Sequence, residues 1–167
     1  RNCLHLYFCI YTAPSLCGAL LFNEMFTTVL PKTLILSPLF CYSKKRLFEE
    51  ITENAAVMLK ISADVLQKAL ISREQYGTTV FFNGIAIPHA LIPGIAQPLA
   101  VLSILDTSVL FNSIDSDPLP VDITYSLFIS PDEDYDKITI FLQHLTEVLS
   151  NQDLLNSLRL ARNERGK

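Results

Sequence analysis

The sequence predicts an α/β fold, a single-domain sandwich in which a mixed β-sheet is flanked by helices. Apolar residues recur every three or four positions between residues 43 and 71, as in amphipathic helices. Residues 78–129 then hold short β-branched and apolar runs separated by Pro and Gly, as in strands. Helices are predicted again after residue 132. The Pro-rich loops favour a mixed sheet over a purely parallel, doubly wound one.

Two helices are predicted first. Ser43 is the expected N-cap of a helix because a hydroxyl can accept a bond from the free N–H groups of the first turn. The apolar positions of this helix are Leu47, Phe48, Ile51, Ala55, Met58 and Leu59. Residues 62–64 open a second helix, which we expect to end at Gly77, since glycine is favoured just after a helix.

The pattern then changes to strands. Residues 78–82 predict a strand because they are β-branched and aromatic, and Asn83-Gly84 predicts a turn. Residues 85–89 form a short apolar segment that ends in Pro88-His89. Buried strands are expected over 99–105 and 121–129. The acidic residues 132–134 suit the start of a helix that runs to about residue 150, and a shorter helix follows over 151–162.

Charge and cysteine are distributed unevenly. The net charge of −4 argues against nucleic acid as a partner, because binding the phosphate backbone of a nucleic acid needs a surplus of Lys and Arg. Residues 1–42 hold only three of the 30 charged side chains (13 Lys and Arg plus 17 Asp and Glu), and all four cysteines. The cysteine spacing matches no zinc or redox motif, so free thiols are expected. The mean hydropathy of +0.32 therefore reflects mainly this first segment.

The apolar segment 1–24 has three interpretations. Residues 3–22 form a run of 20 without charge, about the length that spans a bilayer. The chain begins with Arg1 and its first methionine is Met25, so the segment can also be a mis-assigned start or part of a longer product. The third interpretation makes it a folded part of the domain. We expect the domain itself to comprise residues 25–167.

His89 is the candidate for chemistry. Pro88 fixes its own φ and restricts Ile87 to extended geometry, so His89 is held rigidly at the end of an apolar segment. His5 lies in the first segment, and His144 lies in a predicted helix, where a surface histidine is expected. The sequence around His89 has no metal-ligand cluster, nucleophile elbow or phosphate loop. A rigid imidazole beside a cation can still accept a phosphoryl group, and an ordinary loop histidine is the alternative.

Residues 72–90, SREQYGTTVFFNGIAIPHA, resemble the active-site region of a known family. These are the type-2 enzyme IIA domains of the bacterial phosphoenolpyruvate-dependent phosphotransferase system, a group with fructose, mannitol and nitrogen-regulatory members. The family pattern is an Arg-Glu pair, then Gly-Ser/Thr-Thr, then Gly-Ile-Ala-Ile-Pro-His. The flanking residues 120–122 and 158–159 match as well, and the resemblance extends from about residue 25 to 163.

The resemblance implies a phosphotransferase whose His89 accepts a phosphoryl group from a small histidine phosphocarrier protein. It implies that Arg73 offsets the phosphoryl charge and that Asn83 and Thr79 support the site. Asn83 stands where nitrogen-regulatory members usually carry Asn and sugar-transporting members Glu, which favours the regulatory type.

Two alternatives stay open. One is a sugar-specific enzyme IIA that passes phosphate to a IIB domain, and the other is a regulatory binding module without phosphotransfer. In each case we expect a cytoplasmic protein that acts on protein partners, without metal or cofactor, nucleic acid or membrane contact.

The chain also departs from the family pattern. Ile138 aligns with the family's second histidine, and His144 lies six residues later, about 240° further around a helix, so it does not take that place. Residues 80–82 are bulkier than the Gly-Ile-Gly of the regulatory group. Residues 117–119 look like a small insertion, and we expect the domain to stop before the family's final helix.

Overall fold

The structure is a computed structural model that describes residues 31–82, 84–112 and 117–165. The described residues form six strands and four helices. The strands are β1 (Lys32–Leu39), β2 (Val80–Phe82), β3 (Ile85–Ala86), β4 (His89–Leu91), β5 (Leu99–Phe111) and β6 (Leu119–Ile129). The helices are α1 (Lys44–Leu59), α2 (Ala63–Tyr76), α3 (Tyr135–Leu149) and α4 (Gln152–Arg165).

All six strands belong to one mixed sheet, as the sequence predicts. The order is β1-β5-β6-β3-β2, with β4 also paired to β6. β5 is parallel to β1 and antiparallel to β6, whereas β3 and β4 both run parallel to β6. Ile85 of β3 lies opposite Ile123, and His89 of β4 lies opposite Leu127. β3 and β4 therefore pair one after the other with successive parts of β6.

The sheet is covered by helices on both faces. One buried cluster joins α1 and α2 to the sheet and includes Leu47, Phe48 and Ile51 of α1. A second cluster joins α3 and α4 to the opposite face. Residues of β5 alternate between the two clusters, with Val101 in the first and Leu102 in the second. Because both faces are covered, residues 99–105 of β5 are buried and all but Ser103 are apolar, and the predicted sandwich is confirmed.

The helix ends are set by local capping. Ser43 Oγ accepts a hydrogen bond from Arg46 N at 3.1 Å, which confirms the predicted N-cap of α1. α2 ends at Tyr76 with Gly77 as its C-cap, also as predicted. α3 starts at Tyr135 rather than at residue 132, because Asp134 is the acidic residue whose side chain caps the helix.

Three strand predictions were incomplete. β1 was not predicted, since its apolar residues merge with the apolar segment that precedes it. The segment 85–89 is two strands, β3 and β4, separated by residues 87–88. β5 continues to Phe111 instead of ending at 105, because the exposed polar residues 106–108 lie within the strand where its register against β6 shifts.

Of residues 1–42, which hold few charges, the structure describes residues 31–42. Among the described residues, no helix combines the length and hydropathy needed to cross a bilayer. Cys41 is buried and is a free thiol. Residues 1–24, with the three interpretations given for them, lie outside the described residues.

Candidate functional site

His89 stands where the chain leaves Pro88 and enters β4. Its Nδ1 lies 2.8 Å from the main-chain oxygen of Ile87. A carbonyl oxygen only accepts hydrogen bonds, so Nδ1 carries the ring proton and donates it to Ile87. The other ring nitrogen, Nε2, therefore presents a lone pair. A neutral ring with an available Nε2 lone pair is the nucleophilic form of histidine.

Arg73 lies against that second nitrogen. It belongs to the last turn of α2, and its Nε donates to His89 Nε2 at 3.1 Å. Its Nη1 donates to the main-chain oxygen of Gly77 at 2.9 Å. The end of α2 thus places a permanent cation against His89 Nε2, although the two residues are 16 positions apart in sequence. The structure brings together the two residues that the resemblance assigned to catalysis.

The surroundings of His89 favour its neutral form. Burial lowers the pKa of His89 below its usual value, and the Arg73 cation lowers it further. The hydrogen bond to the Ile87 carbonyl and the nearby Glu74 carboxylate oppose this change, without reversing it. This lowering of the pKa favours the neutral imidazole, which is the form of histidine that can act as a nucleophile.

Thr79 belongs to the same region but contacts Glu74 rather than the imidazole. Its hydroxyl donates to Glu74 Oε2 at 2.7 Å, and its N–H donates to Glu74 Oε1 at 3.3 Å. The Thr79 main-chain oxygen accepts from Ile87 N at 3.0 Å. Glu74 was part of the Arg-Glu pair in the sequence pattern, but no role was predicted for it. Its partner Thr79 lies five residues further along the chain, between α2 and β2, and a sequence pattern does not contain the path of that segment.

Asn83, which the resemblance linked to the phosphoryl site, lies outside the described residues. Gly84 follows it in the turn between β2 and β3 and has φ +81°. A Cβ on Gly84 would lie 2.7 Å from Asp122 Oδ1 and 3.0 Å from Arg159 Nη2. The Gly84 oxygen accepts main-chain bonds from Asp122 and Ile123. Glycine is required here by both the positive φ and the close approach.

Asp122 and Arg159 form a bidentate ion pair between β6 and α4. Arg159 Nε lies 2.7 Å from Asp122 Oδ2, and Arg159 Nη2 lies 2.8 Å from Asp122 Oδ1. The pair borders an open cavity of about 570 Å³, whose other lining residues include Phe81 and Leu119. His89 does not line this cavity, so the cavity is separate from the imidazole site.

The other sequence-predicted positions lie on α3. Ile138, which the resemblance aligns with a second histidine, is partly buried and packs against the cluster that contains Ile87. His144 is exposed, as expected for a surface histidine. In residues 31–82, 84–112 and 117–165, no three His, Cys, Asp or Glu side chains are grouped so that they could hold a metal ion.

Comparison with known proteins identifies the family of the chain. Residues 28–165 match the family model described as phosphoenolpyruvate-dependent sugar phosphotransferase system, EIIA 2. A nitrogen regulatory protein of Pseudomonas aeruginosa is 33% identical over 120 residues, covering 71% of this chain and 76% of that protein. The crystal structure of the nitrogen regulatory protein IIA-Ntr from Neisseria meningitidis superposes with a TM-score of 0.68 at 26% identity, covering 75% and 84% of the two chains.

A nitrogen regulatory protein of Klebsiella oxytoca is 38% identical over 98 residues, which are 58% of this chain. The chain spans about three fifths (59%) of the length of this relative.

Proposed function

We propose that this chain, which belongs to the EIIA 2 family of the phosphoenolpyruvate-dependent sugar phosphotransferase system, carries a phosphoryl group on His89 Nε2. The observation that supports this most directly is the pair of contacts on the imidazole. Nδ1–H is held by the Ile87 carbonyl, and Nε2 faces the Arg73 guanidinium. One nitrogen is therefore blocked by its proton, and the other offers its lone pair beside a cation.

The proposed step is an in-line transfer between two imidazoles. The Nε2 lone pair of His89 attacks the phosphorus of a phosphohistidine on the donor protein. The donor N–P bond breaks as the new N–P bond forms, and its electron pair returns to the donor imidazole. The proton of His89 stays on Nδ1 and remains hydrogen-bonded to the Ile87 carbonyl throughout. No proton has to move when the donor ring carries its own N–H, so the step needs no general base.

Arg73 has two successive roles in this proposal. In the unphosphorylated protein its Nε–H occupies the Nε2 lone pair at 3.1 Å. During transfer the guanidinium exchanges this bond for the equatorial phosphoryl oxygens, where it offsets developing negative charge. Thr79 supports the site through the main chain of Ile87, and we assign Asn83 a supporting role on the resemblance alone.

We assign the protein to a nitrogen-regulatory relay in the cytoplasm. The Pseudomonas aeruginosa, Klebsiella oxytoca and Neisseria meningitidis relatives are named nitrogen regulatory proteins, and Asn83 is the residue expected of the regulatory type. The donor is a small histidine phosphocarrier protein. Phosphorylation would add negative charge beside Arg73 and so change which target protein docks there.

The test is phosphorylation with labelled phosphoenolpyruvate, enzyme I and the phosphocarrier. We expect acid-labile label on the wild-type chain and none on His89→Ala. The matched control is His144→Ala, which removes an exposed imidazole from α3 and should leave labelling unchanged. Label that persists in His89→Ala would overturn the assignment. Transfer of the label onward to the cysteine of a IIB domain would favour the sugar-specific alternative.

Ile138 favours a second candidate, a regulatory module that docks without transferring phosphate. At this position the family's second imidazole is replaced by a side chain that packs into the apolar cluster. If this second function is correct, the wild type and His89→Ala should bind the target protein equally well. Binding that changes when the wild type is phosphorylated would exclude it.

A further inference from the structure

We propose that Glu74 is a positioning residue that holds the His89 ring through Thr79 and the main chain of Ile87. The proposal rests on the function proposed above, since it concerns the same imidazole. Glu74 does not touch His89 by any hydrogen bond. Its effect would be carried by three consecutive contacts, from Glu74 to Thr79, from Thr79 to Ile87, and from Ile87 to His89.

The first contact joins α2 to the segment before β2. Glu74 accepts from both the hydroxyl and the N–H of Thr79, at 2.7 Å and 3.3 Å. Two bonds to one residue fix both its side chain and its main chain. Thr79 is buried, so water competes little with these bonds.

The second and third contacts lead from Thr79 to the imidazole. The Thr79 oxygen accepts from Ile87 N at 3.0 Å, and the Ile87 oxygen accepts from His89 Nδ1 at 2.8 Å. Pro88 lies between Ile87 and His89 and fixes its own φ. The direction of the Ile87 carbonyl therefore depends on how firmly Thr79 is held, and that carbonyl sets the plane of the His89 ring.

Adjacent residues at the end of α2 thus act on opposite edges of the ring. Arg73 reaches Nε2 directly, and Glu74 reaches Nδ1 through the relay described above. Their charges also oppose each other at His89, since Arg73 lowers its pKa and Glu74 raises it. Arg73 and Glu74 are the two charged groups that act on the imidazole within the described part of the chain. A single turn of helix therefore controls both the orientation and the basicity of the nucleophile.

The test compares Glu74→Ala and Glu74→Gln with the control Glu147→Ala, which removes an exposed carboxylate from the last turn of α3. Glu74→Ala removes both acceptors of Thr79, so we expect phosphorylation about tenfold slower, the effect of losing roughly one or two net hydrogen bonds. Glu74→Gln keeps the shape and an acceptor but loses the charge. We expect it to lower the His89 pKa and to keep most of the rate.

Ring NMR of the unphosphorylated protein gives a second measurement. In Glu74→Ala we expect the His89 Nδ1 proton to exchange with water about tenfold faster, because the Ile87 carbonyl holds it less well. Thr79→Val should show the same direction of change, and Thr79→Ser should restore the wild-type behaviour. Glu147→Ala should change neither measurement.

The outcomes separate this proposal from the function on which it rests. A folded Glu74→Ala protein with the wild-type rate and the wild-type Nδ1 proton exchange would overturn the positioning role. An equal effect of Glu147→Ala would do the same. If the wild type takes no label at all, the proposed function fails, while the NMR measurement still decides whether Glu74 positions the ring.

Discussion

Replacing Gly84 by alanine should destabilise the fold by two separable effects. The first is backbone strain, since φ is +81° and a left-handed conformation costs an L-residue about 1–2 kcal/mol. The second is a steric conflict with the ion pair beneath the turn. The new Cβ would lie 2.7 Å from Asp122 Oδ1 and 3.0 Å from Arg159 Nη2. Moving two partly buried charged groups that hold each other adds about 1–3 kcal/mol, as in other overpacked sites.

Gly94→Ala provides the matched control. Its φ of +87° imposes the same strain, but nothing lies within 4 Å of the added Cβ. The gain from a less flexible unfolded chain is common to both variants. The difference between the two free energies of unfolding therefore measures the conflict with Asp122 and Arg159 alone, and we expect it to be about 2 kcal/mol.

Urea unfolding at constant pH is the assay. With an m-value of about 1.5 kcal/mol per M, a difference of about 2 kcal/mol places the midpoint of Gly84→Ala about 1.3 M below that of Gly94→Ala. The effect of adding Asp122→Ala to Gly84→Ala should be less than additive, because the crowded carboxylate is then absent. Equal midpoints for the two glycine variants would refute the reasoning, as would full additivity with Asp122→Ala.

Three further predictions concern individual side chains. Because folding lowers the pKa of His89, this histidine binds a proton more readily in the unfolded chain, where its pKa is about 6.5, than in the folded one. The free energy of unfolding should therefore fall as pH drops below that value towards the folded pKa, and His89→Gln should weaken this fall in urea titrations at different pH. Burial raises the pKa of the Cys41 thiol from 9.0 to about 11, so its thiolate is about 100-fold scarcer. A thiol reagent should therefore modify Cys41 at least about 100-fold more slowly in the folded chain than in urea. The modification of Cys41 is measured as the difference from Cys41→Ser. Ser126→Ala should leave stability unchanged or raise it by up to about 1 kcal/mol, because this buried hydroxyl has no hydrogen-bond partner among the described residues. Ser43→Ala should lose about 1 kcal/mol, because it removes the N-cap of α1. Equal thermal shifts for the two variants would contradict this prediction.

The parts of the fold that depend on local chemistry could be predicted from the sequence. Ser43 caps α1 and Gly77 ends α2 because each needs only its own neighbours in the chain. The end of β5 could not be predicted in the same way. Residues 106–108 are polar and exposed, which is typical of a loop, but the strand continues through them because pairing with β6 resumes at Val109. β1 likewise owes its strand structure to a parallel neighbour 67 positions away, as in the pair Lys32 and Leu99.

The candidate site likewise has features that could be predicted from local sequence and features that depend on how distant segments pack. The rigidity of His89 follows from Pro88, its neighbour in the chain, and could be argued from the residues themselves. The position of Arg73 against Nε2 depends on how α2 packs beside β4, so only the family resemblance pointed to it. Glu74 went unassigned because its partners, the hydroxyl and N–H of Thr79, lie in the segment between α2 and β2, whose path the sequence does not specify.

The partner of His89 Nδ1 is a main-chain oxygen, and this has an evolutionary consequence. A side-chain partner can be lost by one point mutation, but every residue at position 87 supplies the same carbonyl. The choice of the proposed reacting nitrogen therefore depends on the path of the backbone. A substitution among the neighbouring side chains leaves the two ring nitrogens in their places as long as that path is kept. Such a site tolerates divergence around its nucleophile, which allows one scaffold to acquire new protein partners while its chemistry stays the same.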